Sequence, residues 1–83
     1  MRIVYFASVR EAIGVDGEER DLPDDIVNIA DCLNWLAGQG EKYAAAFDNK
    51  ARLRFALDQH MAKADAALAG ASELAIFPPV TGG

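Results

Sequence analysis

Pro78-Pro79, placed directly after the apolar run Leu74-Ala75-Ile76-Phe77, sets the limits within which this chain can fold. Proline holds φ near −65° and has no amide hydrogen to give a sheet ladder, so a strand must stop at Phe77 and a stiff, polyproline-like spacer must begin. The chain therefore divides into a domain over residues 1–77 and a tail over 78–83, Pro78-Pro79-Val80-Thr81-Gly82-Gly83. At ~3.3–3.6 Å per residue, such a tail carries its carboxylate roughly 20 Å from the domain. Gly82 and Gly83 lack Cβ atoms, which lets that carboxylate pass along a channel too narrow for side chains. A frayed terminus is the ordinary alternative. Fraying, however, needs no double-proline stiffener after a strand.

Upstream, Ile3-Val4-Tyr5-Phe6 reads as a strand whose phase Arg2 sets. With Arg2 in water, Val4 and Phe6 share its face, while Ile3, Tyr5 and Ala7 point to the core. Ser8 is placed to cap a short helix over residues 9–13, with Glu11 at capping-box spacing, and Gly14 ends it. Residues 18–22 are polar for a strand, and Pro23 closes them; they read as an edge strand whose charges discourage edge-to-edge pairing. Asn28 is a good helix cap. Beyond it Ile29, Cys32, Leu33 and Leu36 recur at helical spacing, marking the principal helix, which Gly38 or Gly40 ends. Residues 43–47 give one or two further turns. Leu53, Phe55 and Leu57 alternate with Arg54, Ala56 and Asp58 as a half-buried strand, and Asp58-Gln59-His60 is its turn, with Met61-Ala62 returning. Residues 64–71 are alanine-heavy, and helix and loop are both open for them. The whole is an α+β fold, a sheet carrying one main helix on a face, with short helical inserts.

A net charge of −5 argues against nucleic acid or an anionic membrane as partner and favours a basic protein surface. Cys32 is the one cysteine, which forbids an internal disulfide and fits a reducing compartment. No apolar run approaches the ~18 residues of a membrane span and no signal peptide is visible, so a cytoplasmic protein is expected. Catalytic machinery is hard to assemble. His60, the one histidine, falls in an expected turn; Cys32 sits on an apolar helix stripe; Asp24-Asp25 read as a solvated turn rather than a metal site. No metal site and no phosphate loop are expected. By strand phase Phe6 and Phe77 face outward with Arg2 and Glu73. Either helical inserts cover them, or with Met61 they form a docking patch near the root of the tail.

Val4-Tyr5-Phe6-Ala7-Ser8-Val9-Arg10-Glu11, the helix opening at Asn28 and, above all, Leu74-Ala75-Ile76-Phe77-Pro78-Pro79-Val80-Thr81-Gly82-Gly83 resemble the small subunit of molybdopterin synthase, the MoaD family of ubiquitin-like sulfur carriers. The resemblance implies a ubiquitin-like β-grasp fold, a mixed sheet whose first and last strands pair in parallel at its centre. It also implies that Gly83 is adenylated with ATP by a ubiquitin-activating-type, MoeB-like enzyme and converted to a thiocarboxylate. No cofactor is then permanently bound. Pro78, Pro79, Val80, Thr81 and Gly82 would thread into the large subunit of a hetero-oligomer, a heterotetramer, where sulfur passes to cyclic pyranopterin monophosphate to build the molybdopterin dithiolene. Phe6, Met61 and Phe77 fall at partner-contact positions, and the catalytic residues belong to the large subunit. Gly70-Ala71-Ser72-Glu73 stands where the family usually has an Asp-Gly-Asp-Glu turn, and Asp58-Gln59 where an Asn is common. Two alternatives share the tail: a ubiquitin-like modifier joined through Gly83 to protein lysines, and the sulfur carrier of thiamine biosynthesis, which is shorter and typically lacks Pro-Pro-Val.

Overall fold

The computed structural model describes residues 1–79. Its five strands are β1 (Arg2–Tyr5), β2 (Gly17–Glu19), β3 (Arg54–Leu57), β4 (His60–Ala62) and β5 (Glu73–Phe77), ordered β2-β1-β5-β3-β4 in one sheet. β1 and β5 run parallel, with Ile3 opposite Leu74 and Tyr5 opposite Ile76; the other pairings are antiparallel. This is the β-grasp arrangement, with the first and last strands adjacent inside the sheet.

Residues opposite one another across a ladder share a face. Ile3, Tyr5, Leu74, Ile76 and Phe55 face inward, and all are buried. The helices α1 (Ala7–Ile13), α2 (Ile29–Ala37) and α3 (Glu41–Ala46) bring Val9 and Ile13, the stripe Ile29-Cys32-Leu33-Leu36, and Tyr43 to the same core, joined by Phe47. At ~1.5–3 kcal/mol for each large side chain removed from water, this one-sided core is what holds the sheet. The outward face carries Arg2, Val4, Glu73, Ala75, Phe77, Arg54, Ala56 and Met61.

Several expectations need correcting. Ala7 is exposed and opens α1 at φ 52°, so it lies outside the core. Ser8 does not cap that helix: Phe6 holds the cap position without a side-chain bond, and the Phe6 carbonyl accepts from Val9 and Arg10 amides at 3.1 and 3.4 Å. Gly14 ends α1 as expected, at φ 95°. The second strand is shorter and begins earlier than residues 18–22, because only Gly17 to Glu19 find partners on β1. His60 belongs to β4, so the turn is Asp58-Gln59 alone, with both residues at positive φ, 49° and 71°. That mirror-image turn suits the right-handed twist of a hairpin. Asp58 Oδ1 braces it by accepting from the Ser72 and Glu73 amides, each at 2.9 Å.

Residues 64–71 form a loop, and α2 explains why. The first amides of a helix have no partners within it. Here Ile29 N donates to Ala66 O at 3.2 Å and Ala30 N to Ala64 O at 2.8 Å, while Asn28 Oδ1 accepts from Asp31 N at 2.8 Å. The alanine segment spends its carbonyls on the neighbouring helix, and Leu68 plugs into the core.

Candidate functional site at the root of the tail

β5 is hydrogen-bonded on both sides, by β1 and by β3, up to Phe77. The Phe6 amide adds one more bond to Ile76 O at 3.2 Å, just beyond the end of β1. A tail emerging there is anchored in the most firmly paired strand of the fold, and Pro78 and Pro79 follow without further pairing. The expected threading residues Val80, Thr81 and Gly82, and the expected acyl carrier Gly83, lie outside the described residues.

Phe6 and Phe77 meet edge to face, ring centroids 6.3 Å apart at 86°. Such pairs are worth ~0.5–1.5 kcal/mol beyond the area they bury. No helix covers them fully, since Phe6 remains 48% exposed. Met61 is 68% exposed on the same face, opposite Ala56 on β3. β3 lies between Met61 and β5, which at ~4.8 Å per strand places it about 10 Å to the side. The three residues expected to contact a partner therefore share a face, with two in direct contact. Ala75 and Ala56 pave the ground between Val4 and Met61.

The sequence reading missed the surroundings of this root. Arg54 stands opposite Phe77. On one side of Leu53 an open groove is lined by Lys50, Arg54, Met61 and Lys63; on the other, a second is lined by Ser8, Asp48, Arg52, Pro78 and Pro79. A signal existed, because four of the chain's eight cations fall between positions 50 and 63.

The expected edge guards behave otherwise than predicted. Glu19 is exposed beside the amino terminus, 3.7 Å away, but Glu18 and Arg20 turn inward. Glu18 Oε2 accepts from the hydroxyls of Tyr5 and Tyr43, both at 2.7 Å, and Glu18 Oε1 from Arg20 Nε at 2.9 Å. Arg20 Nη2 donates to Tyr43 Oη at 2.9 Å, and its guanidinium lies over the Trp35 and Tyr43 rings. Burial raises the Tyr5 hydroxyl far above its ordinary pKa, and the Glu18 carboxylate adds to this. Burial also works against the charged form of Glu18, but the Tyr43 and Tyr5 hydroxyls and the Arg20 charge outweigh it and hold the carboxyl below its ordinary value. This clasp ties β2 to the helices on the edge remote from β4.

Cys32 is fully buried, and burial pushes its thiol up to about 11, which leaves it protonated and inert near neutrality. His60 is exposed on β4, away from Cys32 in the core. Among the described residues no group of three His, Cys, Asp or Glu could hold a metal, and no helix is long and apolar enough to cross a membrane.

Residues 3–83 match the ThiS family. The molybdopterin synthase sulfur carrier subunit of Haemophilus influenzae is 37% identical over 83 residues, covering 100% of this chain and 99% of that one. Its counterpart of the same description in Escherichia coli is 32% identical over the same span, with the same coverage. Among solved structures, small archaeal modifier protein 1 of Haloferax volcanii superposes with a TM-score of 0.72 at 25% identity, over 96% of this chain and 97% of that one.

Proposed function

We propose, because this chain belongs to the ThiS family, that it is the sulfur-carrier subunit of a molybdopterin synthase and that Gly83 carries the sulfur. The observation that carries this reading is the full-length match, at 37% and 32% identity, to two molybdopterin synthase sulfur carrier subunits, combined with a central strand that stops at Phe77, directly before Pro78-Pro79. Residues 1–77 serve as the handle and 78–83 as the delivered arm. In activation, a carboxylate oxygen of Gly83 attacks the α-phosphate of ATP on a MoeB-like adenylating enzyme, and pyrophosphate leaves. A sulfur nucleophile then attacks the acyl carbon, AMP departs, and a thiocarboxylate remains. The tail next enters the large subunit of a heterotetramer, where the sulfur is transferred to cyclic pyranopterin monophosphate. Phe6, Phe77 and Met61 are the apolar contacts for these cytoplasmic partners, and ATP is consumed on the activating enzyme rather than held by this chain.

Both activation steps need Gly83 as the last residue, since one added residue displaces the acyl carbon by about 3.5 Å and reacting atoms must approach to about 3–3.5 Å in an aligned geometry. Incubation with the activating enzyme, ATP and a sulfur donor is expected to replace one oxygen by sulfur on the C-terminal peptide, read by intact and peptide mass spectrometry. Removing Gly83, or extending the chain beyond it, abolishes the change while the thermal midpoint stays put. Sulfur appearing on Cys32, or normal loading of the extended protein, would sink the reading. Lysine-linked adducts in place of thiocarboxylate would move the chain to the modifier class, to which its likeness is weaker, 25% identity against 37%.

A further inference from the structure

The overall charge of −5 pointed to a basic partner surface, but the charges are not evenly spread. The two grooves that meet at Leu53 are lined by four cations, Lys50, Arg52, Arg54 and Lys63, and by one acid, Asp48. The rest of the chain keeps four cations and twelve acids. The cationic end coincides with the root of the tail: Arg54 stands opposite Phe77, Arg52 shares a groove with Pro78 and Pro79, and Lys63 shares the other with Met61. All four side chains are on exposed residues. At the far end of the same outward face the charges are mixed, with Arg2 between Glu19 and Glu73.

We infer that this cationic collar docks on an acidic protein surface surrounding the mouth of the channel that receives the tail. The inference rests on the sulfur-carrier reading for the existence of that channel. Its chemistry comes from the collar alone: apolar side chains of the partner meet Phe6, Phe77 and Met61, and carboxylates around them face Arg52, Arg54 and Lys63. Nucleic acid fits less well, because the rest of the molecule repels polyanions and the collar encloses aliphatic and aromatic surface. Charges at the rim of an interface act mainly on the rate of encounter and on its salt dependence. They also orient the approach. A molecule with four of its eight cations around the root of its tail and twelve of its thirteen acids elsewhere meets an acidic mouth tail first.

The test titrates the cognate large subunit, by calorimetry and by stopped-flow association, with the wild type, with the double variant Arg52→Glu/Lys63→Glu and with Arg2→Gln as control. Neither Arg52 nor Lys63 makes a side-chain hydrogen bond among the described residues, so the double variant is expected to keep its thermal midpoint. At low salt it should associate at least tenfold more slowly and bind at least tenfold more weakly, with most of the difference gone at roughly 0.5 M salt, where screening is nearly complete. Arg2 lies roughly 15 Å along the strands from the root, beyond a Debye length of ~8 Å, and its variant should bind within about twofold of wild type. Unchanged or tighter binding by the double variant, or an equal loss in the Arg2 control, overturns the inference. So does a variant that binds the large subunit normally yet loses affinity for an RNA oligonucleotide. If the wild type itself does not bind the large subunit, the sulfur-carrier reading fails, and the collar's proposed partner goes with it.

Discussion

Replacing Glu18 by alanine tests how the edge strand is held. Glu18 accepts three hydrogen bonds, two from hydroxyls and one from the Arg20 guanidinium. Tyr5 is 1% exposed, so without Glu18 its hydroxyl is left buried and unpaired, which costs ~1–3 kcal/mol, and charge-assisted bonds of this kind are worth ~1.5–3 kcal/mol each before overlap is discounted. Tyr43 and Arg20 keep each other, which limits the damage. A loss of about 3 kcal/mol follows. In a domain whose whole stability is of order 4–12 kcal/mol, that lowers the thermal midpoint by roughly 12–24 °C. Tyr5→Phe removes a donor while leaving Glu18 two partners, so it should cost only about 1 kcal/mol. In the double variant the stranded hydroxyl is gone, and the loss should be no larger than for Glu18→Ala alone. Urea unfolding of the four proteins gives the coupling energy directly. Additivity within about 0.5 kcal/mol would refute the clasp. The pH dependence has a definite sign: the folded carboxyl lies below its ordinary 4.5, so its contribution is complete above that value and is lost as pH falls through the folded one. Glu18→Gln should therefore lose less stability on acidification than wild type. Sulfur loading of any folded variant should be normal, because the clasp side chains lie on the inward, buried face of the sheet and Phe6, Phe77 and Met61 on the outward one.

Two further outcomes follow from the site. Phe6→Ser should weaken large-subunit binding about tenfold, equivalent to ~1.4 kcal/mol, with only a modest loss of stability because Phe6 is already half in water; unchanged affinity by calorimetry would remove the aromatic pair from the interface. Cys32→Ala should cost about 1 kcal/mol of stability, and native wild-type Cys32 should resist alkylation until the protein unfolds; loss of sulfur transfer by the folded variant would contradict its purely structural place.

The sequence by itself determined what depends on neighbours along the chain. Pro78-Pro79 stop β5 by covalent geometry, the stripe Ile29-Cys32-Leu33-Leu36 defines α2 by its period, and Asn28 and Gly14 mark helix ends through their own side chain or the lack of one. Strand alternation put Phe6 and Phe77 on the outward face; the register bears this out for Phe77, opposite Arg54, and Phe6, just beyond the end of β1, packs edge to face on it. Tertiary structure decided whatever depends on partners distant in sequence. The alanines of residues 64–71 favour a helix in isolation, yet the carbonyls of Ala64 and Ala66 answer the unpaired first amides of α2, and that long-range bonding outweighs a propensity of a few tenths of a kcal/mol per residue. Glu18 and Arg20 read locally as charges for solvent. They turn inward because Tyr5, Tyr43 and Trp35, from three other elements, converge on them. Likewise Lys50, Arg52, Arg54 and Lys63 look dispersed among the chain's cations until a hairpin and a single turn of helix wrap them around the place where β5 ends, because a charge patch is a property of folded distance rather than of order along the chain.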